Sequence, residues 1–217
     1  MKKYTKIGSI FALLLALLLP MASYAVTGFT DIDDSVYKVE IESLFQRGIV
    51  KGTQQDVFKP HAILTNAQAM TLMNETFKLN LDLIRFIKEP KATDYFVHAN
   101  DDAWYAQALI ISSVHGVGFL PEVMPNDGID RETFVSLLVT YAEVKYDLPM
   151  IKLIPVEIKD AEAFTPEKEG AIQRALAYGV VSLDAEGNFS PKEIIQRDEA
   201  AKIVHDLIQY LESKEFM

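Results

Sequence analysis

The sequence predicts a mainly α fold in which three tandem helix-loop-helix units pack against one another, and three observations support this prediction. One residue pattern recurs three times along the 217 residues. In each copy, apolar residues recur at helical intervals on both sides of a glycine. A single copy of roughly 55 to 65 residues buries too little surface to be stable alone, so the copies should pack through their apolar faces.

The copies align on Gly48, Gly116 and Gly179, and other positions then fall into register. Those positions are Ile41, Leu109 and Ile172 before the glycines, Pro60, Pro125 and Pro191 after them, and Thr65, Asp130 and Gln196 further on. This register divides the chain into three units and two connectors. We expect the units at residues 28–80, 91–145 and 156–213, separated by the connectors Asn80 to Pro90 and Tyr146 to Pro155.

The first helix of each unit is indicated by apolar spacing, and it should end at the aligned glycine. The spaced residues are Val39, Leu44 and Phe45 in the first unit and Ala108, Ile111 and Val114 in the second. Glycine is the usual residue of a left-handed C-terminal cap. The proline downstream then prevents the helix from continuing.

The second helix of each unit begins with polar residues suited to N-capping. Thr65 and Gln68 match a capping box, Asp130 is a good N-cap, and Gln196 with Glu199 is a weaker version. An apolar face then recurs at matching offsets, which is typical of a core-facing helix. Its residues are Ala69, Leu72, Met73 and Phe77; Phe134, Leu137, Leu138 and Tyr141; and Ala200, Ile203, Val204, Leu207 and Ile208.

Residues 1–25 have the pattern of a cleavable signal peptide. A positive stretch is followed by an apolar run and a small-residue site, namely Lys2, Lys3 and Lys6, then Ile7 to Leu19, then Ser23, Tyr24 and Ala25. The alternative is a transmembrane anchor, but the apolar run is shorter than the ~20 residues needed, and Pro20 breaks it. We expect cleavage after Ala25 and a secreted protein that does not span the membrane, whose formal charge falls from −10 to −13 as three lysines are lost.

Composition excludes several classes of function. The net charge of −10 argues against a broad surface for nucleic acid, so no nucleic-acid partner is expected. The absence of cysteine excludes disulfides and thiolate chemistry. The four histidines are scattered, no nucleotide-binding loop or nucleophile motif is present, and a calcium-loop-like run after Asp31 has Val36 where glycine is required. We therefore expect no metal, no cofactor and no enzymatic activity.

Several short motifs make the chain resemble the S-layer homology family. They are Phe29-Thr30-Asp31-Ile32, Gly48-Ile49-Val50-Lys51-Gly52, Phe58-Lys59-Pro60 and Leu64-Thr65-Asn66-Ala67-Gln68 in the first unit; Trp104-Tyr105-Ala106 and Ile129-Asp130-Arg131-Glu132-Thr133 in the second; and Gly179-Val180-Val181, Phe189-Ser190-Pro191 and Ile195-Gln196-Arg197-Asp198-Glu199 in the third. The resemblance implies a pseudo-threefold helical assembly at the cell wall or cell surface. It also implies non-covalent binding to secondary cell-wall polysaccharide, often pyruvylated, in grooves between units.

Four residues are predicted to contact this glycan: Arg131, Arg197, Trp104 and Gly52. The two arginines are not needed for capping, and at the first turn of a helix each should lie beside free backbone N–H groups, which together suit a carboxylate. Trp104 fits the core equally well, because an indole is often mostly buried. Gly52 fits a tight turn as well as a close approach of the ligand.

The sequence also departs from the family pattern. Asn66 stands where the arginine of the first unit belongs, and Val36 and Glu167 stand where tryptophans belong. These departures favour an alternative, namely an exported scaffold or surface-layer assembly factor that binds a surface-layer or envelope protein rather than glycan. A wall-active enzyme is a third hypothesis, but no pair of carboxylates stands out in the sequence.

Overall fold

The computed structural model describes residues 28–148 and 154–217, and these residues form a mainly α fold, as predicted. Their six α-helices are α1 (Lys38–Gln46), α2 (Asn66–Thr76), α3 (Ala106–Val114), α4 (Arg131–Tyr146), α5 (Pro166–Ala177) and α6 (Arg197–Ser213). Short 3-10 turns occupy Ala92–Asp94 and Ala161–Ala163. The predicted signal peptide lies outside the described residues. Among the described helices, none has the length and apolar character needed to cross a membrane.

The helices pack between units rather than within them. The first helix of the second unit, α3, packs on α2 of the first unit, and α5 packs on α4 in the same way. The first helix of the chain, α1, packs on the last one, α6. The three units therefore form a closed ring, with each unit completed by its neighbour.

Three backbone hydrogen bonds form a closed cycle at the centre of this ring. The amide of Leu64 donates to the carbonyl of Ile195 at 2.9 Å, Ile195 donates to Ile129 at 3.1 Å, and Ile129 donates to Leu64 at 3.0 Å. All three side chains are buried. Each residue comes from the same position of a different unit, so this cycle marks a pseudo-threefold axis.

Neighbouring units also provide hydrogen-bond acceptors for the first backbone amides of each second helix. The first two amides of α2, α4 and α6 donate to carbonyls of the following unit at 2.8 to 3.0 Å. The donor and acceptor pairs are Asn66 with Asp127, Ala67 with Pro125, Arg131 with Glu193, Glu132 with Pro191, Arg197 with Ala62, and Asp198 with Pro60. The expectation that N–H groups beside Arg131 and Arg197 are free for a ligand was therefore wrong, because ring closure uses them.

The predicted caps form in two of the three second helices. Thr65 and Gln68 make the reciprocal capping box, and the Asp130 carboxylate accepts from the Thr133 amide at 2.7 Å. The Gln196 side chain makes no capping hydrogen bond, so that prediction was wrong. The physical reason is that the Glu199 amide donates instead to the Asp198 carboxylate at 2.8 Å, while the Glu199 side chain is held by an arginine of another unit, as described below.

The first helices end where the sequence predicted. Gly48, Gly116 and Gly179 follow the three C-caps with φ of 72°, 69° and 73°, the left-handed conformation that glycine adopts most easily. The aligned residues Ile41, Leu109 and Ile172 are completely buried. Leu44 and Phe45 pack into the core as the spacing predicted, but Val39 is 71% exposed, and the fully buried Ile41 contributes to the core face of α1 instead.

A buried glutamate joins the second and third units. The Glu132 carboxylate is inaccessible to solvent and accepts hydrogen bonds from the amide and hydroxyl of Thr165 at 3.0 and 2.5 Å. The ammonium groups of Lys168 and Lys192 lie 3.2 and 2.5 Å from it. Burial alone would raise the pKa of Glu132, but these four donors outweigh it and lower the pKa to about 2.

Replacing Thr65 with alanine should lower the free energy of unfolding by about 1 kcal/mol, because the capping box of α2 is lost. The matched control is Gln196→Ala, which occupies the same position of α6 but removes no capping hydrogen bond. Urea unfolding measures both variants. Equal losses in the two variants would contradict the capping role of Thr65.

Replacing Glu132 with glutamine should remove a pH-dependent contribution to stability. The pKa of Glu132 is lower in the folded chain than its ordinary value of 4.5, so its contribution is complete above pH ~4.5 and is lost as the pH falls towards 2. The variant should be less stable by about 3 kcal/mol at pH 6, and the difference should shrink by pH 3. Exposed Glu157, changed to glutamine, is the control for urea unfolding at both pH values. A difference that stays constant with pH would show that Glu132 ionisation does not stabilise the fold.

Candidate functional site

The ring creates a groove of about 490 Å³ to which all three units contribute. The first unit supplies residues 49–53, Phe58 and one face of α2, while Trp104 comes from the second unit and Arg197 from the third. We call this the first groove. It brings together three of the four predicted site residues, namely Gly52, Trp104 and Arg197.

Arg197 is the charged centre of the first groove. Only 9% of the residue is exposed, its Nε donates to the carbonyl of Phe58 at 2.8 Å, and its guanidinium lies 4.6 Å from the centre of the Phe58 ring. Among the described residues, no carboxylate lies close enough to form an ion pair with it. Burial lowers its pKa and the charge of Asp31 opposes this, but a guanidinium stays charged at neutral pH. The groove therefore holds a buried cation without an ion-pair partner among the described residues, although the charge of Asp31 acts on it from a greater distance.

Asp31 builds the turn that holds Arg197 in place. Its carboxylate accepts from the amides of Phe58 and Lys59, both at 2.8 Å, and Lys59 has a left-handed φ of 59°. Slight burial raises the pKa of Asp31, but the hydrogen bonds from these two backbone amides lower it by more, so the net shift of the pKa is downward. The aspartate thus fixes the carbonyl that Arg197 binds.

In the described part of the chain, no group of His, Asp or Glu side chains is arranged to hold a metal ion.

The walls of the first groove combine apolar and polar surface. Ile49, Val50, Leu64 and Leu72 supply apolar surface, and the Lys51 ammonium forms an ion pair with Glu75 at 2.7 Å. Such a surface suits a ligand with an apolar ring face and polar edges.

Trp104 lies at the surface beside this groove. The residue is 64% exposed, and its ring meets the Tyr105 ring edge-on with the centroids 5.6 Å apart. The alternative that places Trp104 in the core is therefore wrong. An exposed indole at the edge of a groove offers a flat apolar face to a ligand.

Gly52 is required by the chain itself. A Cβ atom at this position would lie 2.5 Å from the carbonyl oxygen of Gln54 and 2.7 Å from that of Val57. The Thr53 amide also donates to Val57 at 2.8 Å, which closes a tight turn. The geometry thus supports the tight-turn interpretation, and contact of Gly52 with a ligand stays a prediction.

Arg131 lies in a second groove of about 320 Å³, lined mainly by the third unit, with Arg131 from the second unit and Tyr37 from the first. Its Nε and Nη2 bind the two oxygens of Glu199 at 2.6 and 3.0 Å. Its Nη1 lies 2.9 Å from Glu193 and also donates to the carbonyls of Phe189 and Ser190 at 3.0 and 3.1 Å. All three nitrogens are engaged within the protein, so Arg131 differs from Arg197 although both start the second helix of a unit.

Asn66 takes the same helix position in the first unit. Its side-chain amide donates to the carbonyls of Met124 and Asp127 at 3.0 and 3.1 Å. It thus repeats the contact of the arginines with a neighbouring loop but carries no charge. This position of the repeat therefore holds a neutral amide in the first unit, an arginine bound by two glutamates in the second, and a buried arginine without an ion-pair partner among the described residues in the third.

The sequence analysis missed the residues that give Arg131 and Arg197 different surroundings. Gln68 and Glu199 occupy the same position of α2 and α6, three residues after Thr65 and Gln196. Ala62 and Glu193 are likewise equivalent, since their carbonyls accept from Arg197 and Arg131. Aligning the units would have shown these differences, but the glutamate had been interpreted as part of a capping box. Phe58 and Lys51 were also not proposed as site residues.

Comparison with known proteins gives a family match over two parts of the chain. The model of the S-layer homology domain matches residues 28–70 and 157–201. Exoglucanase XynX of Acetivibrio thermocellus is 26% identical over 83% of this chain and 16% of its own length. The S-layer protein sap of Bacillus anthracis is 28% identical over 85% of this chain and 22% of its own length, and the surface-layer 125 kDa protein of Lysinibacillus sphaericus is 23% identical over 98% and 17%.

These relatives are much longer proteins, and the chain spans less than a quarter of the length of each of the three. The similarity to these relatives therefore concerns only the segment that they share with this chain. The two family matches lie within the predicted first and third units. The chain accordingly carries the S-layer homology domain in two places, at residues 28–70 and 157–201.

Proposed function

We propose that this chain attaches non-covalently to secondary cell-wall polysaccharide through the first groove, and that it acts by binding rather than by catalysis. The two S-layer homology domains and the surface-layer relatives support attachment to the cell surface. The observation that carries the proposal is Arg197, a buried guanidinium in a groove without an ion-pair partner among the described residues. The second unit, with the same two helices, is proposed as a third copy of the domain.

The chemistry of the first groove suits an acidic sugar. A guanidinium binds a carboxylate through two parallel hydrogen bonds, and a pyruvate ketal supplies such a carboxylate on a sugar ring. Trp104 offers a flat face against which the apolar side of a sugar can stack. A pyruvylated polysaccharide therefore matches both the charge and the shape of the site.

The charge of the whole chain sets a limit on how binding occurs. A formal charge of −10 repels a polyanion at long range, so affinity has to come from short-range contacts inside the groove. Export through the predicted signal peptide would place the chain outside the cell, where the wall polysaccharide lies. Secretion and wall localisation are part of the proposal.

A protein partner is the second candidate. Asn66 carries no charge and Arg131 is already bound by two glutamates, so two of the three equivalent positions lack an available cation. With one available arginine at these three positions, the chain would bind glycan at fewer places than three repeats that each offer an arginine. An envelope protein would then supply the other contacts that attach the chain to the cell surface. The experiment below separates the two candidates.

Replacing Arg197 with alanine should weaken retention on purified, peptide-free wall polysaccharide by roughly tenfold to a hundredfold, the value of a charge-assisted fork. Lysine should restore little, because a point charge lacks two parallel donors. The control is Arg85→Ala, which removes the same charge from an exposed position outside the groove. Because Arg197 also packs on Phe58, thermal unfolding has to confirm that each variant is folded at the assay temperature.

If a folded Arg197→Ala variant is retained on the polysaccharide as well as the unmodified chain, Arg197 does not take part in glycan binding. Failure of the unmodified chain to bind the polysaccharide, combined with retention by whole envelopes, would favour the protein partner instead.

A further inference from the structure

We propose that Lys51 and Glu75 form a hydroxyl-binding subsite of the first groove. They bind two adjacent hydroxyl groups on the sugar ring whose carboxylate binds Arg197. This inference rests on the proposed function, since it concerns the same ligand in the same groove. It adds a second requirement to that ligand, namely a ring that keeps two neighbouring hydroxyl groups free.

The ion pair between Lys51 and Glu75 lies on the lining of the first groove and is accessible to a ligand. The Lys51 Nζ is 2.7 Å from a Glu75 oxygen, and 71% and 38% of the two side chains are exposed. An exposed ion pair of this kind contributes little to the stability of a fold. Both charged groups are therefore available for hydrogen bonds with a ligand in the groove.

The backbones that carry the two side chains are held in fixed parts of the first unit. Lys51 follows the buried Val50 and precedes Gly52, where a Cβ atom would clash with two backbone carbonyl oxygens. Glu75 lies in the last turn of α2, and Leu72 of the same helix also lines the groove. Because both backbones are already ordered, binding at this pair restricts only side-chain motion, which keeps its entropic cost small.

The pair is specific to the first unit. In the register of the repeats, Phe119 and Thr140 take the two positions in the second unit, and Ser182 and Asp206 take them in the third. Neither of these units has a lysine and an acid together at these positions, yet both units close the ring in the same way. The pair is therefore not part of the repeated scaffold, and its role belongs to the first groove.

The charges around the first groove favour a neutral group at this pair. Arg197 and Lys51 are positive, Glu75 is negative, and the negative charge of Asp31 also acts on Arg197. Two positive and two negative charges sum to zero. Once a carboxylate has bound Arg197, the sum becomes negative, so a second anion is not attracted to the groove.

Adjacent hydroxyl groups suit an ion pair because of the hydrogen bonds that each partner lacks. An ammonium group donates and does not accept, whereas a carboxylate accepts and does not donate. A hydroxyl group does both, so one hydroxyl accepts from Lys51 while its neighbour donates to Glu75. The two ring oxygens that a pyruvate ketal bridges have no hydrogen to donate. The remaining hydroxyls of the ring must therefore make these contacts.

Calorimetric titration with two probes tests the inference. The first probe is a methyl hexopyranoside whose pyruvate ketal leaves two adjacent ring hydroxyls free, and the second has hydrogen in place of both hydroxyls. The unmodified chain should bind the second probe about tenfold more weakly or worse, because hydrogen bonds to charged partners are lost. A variant with Lys51→Met and Glu75→Ala should bind the two probes with equal affinity.

Glu75→Ala alone distinguishes hydrogen bonding from simple charge repulsion by the sign of its effect. If Glu75 accepts from a sugar hydroxyl, its removal should weaken binding of the first probe about tenfold. If Glu75 only repels the anionic probe, its removal strengthens binding. The control is Glu169→Ala, which removes the same charge from an exposed helical position outside the groove lining and should change affinity much less. Thermal unfolding confirms that both variants are folded.

The outcomes separate this inference from the proposed function. Equal affinity of the unmodified chain for the two probes, or tighter binding of the first probe by Glu75→Ala, would overturn the hydroxyl-binding subsite and leave the carboxylate site at Arg197 intact. If the unmodified chain binds neither probe, the proposed acidic-sugar site is wrong, and the subsite with it.

Discussion

The three backbone hydrogen bonds among Leu64, Ile129 and Ile195 are the constraint on which the rest of this structure depends. Each unit gives one amide and one carbonyl to the cycle, so no unit satisfies its own backbone at this point. The helix pairs that pack most closely are also drawn from different units. The grooves exist because the units meet in this way, and each groove is lined by residues that are far apart in sequence.

A repeated scaffold of this kind separates architecture from function. The backbone around the start of α2, α4 and α6 is satisfied by the same neighbouring carbonyls in all three units. The side chains at that point are then able to diverge without disturbing the ring. Asn66, Arg131 and Arg197 show three such outcomes, and the charge on their neighbours distinguishes the two arginines.

Local features of the fold could be predicted from the sequence, whereas contacts between units could not. The glycine caps and the Thr65 capping box depend on residues within a few positions of one another. The pairing of Arg131 with Glu199 joins residues 68 positions apart, so local reasoning assigned Glu199 to a cap instead. The register of the repeats singled out Arg197 as a candidate, which stays a prediction. That its guanidinium has no ion-pair partner among the described residues could not be predicted, because only the assembled ring places Gln68 and Ala62 nearby.

Amide hydrogen exchange at Leu64, Ile129 and Ile195 tests the closed ring most directly, because these three amides form the cycle. If the ring opens as one cooperative unit, all three should exchange with the same opening free energy, equal to that of global unfolding measured in urea. A markedly lower opening free energy at any one of the three would show that a unit detaches on its own. The ring would then not be the constraint that fixes the grooves.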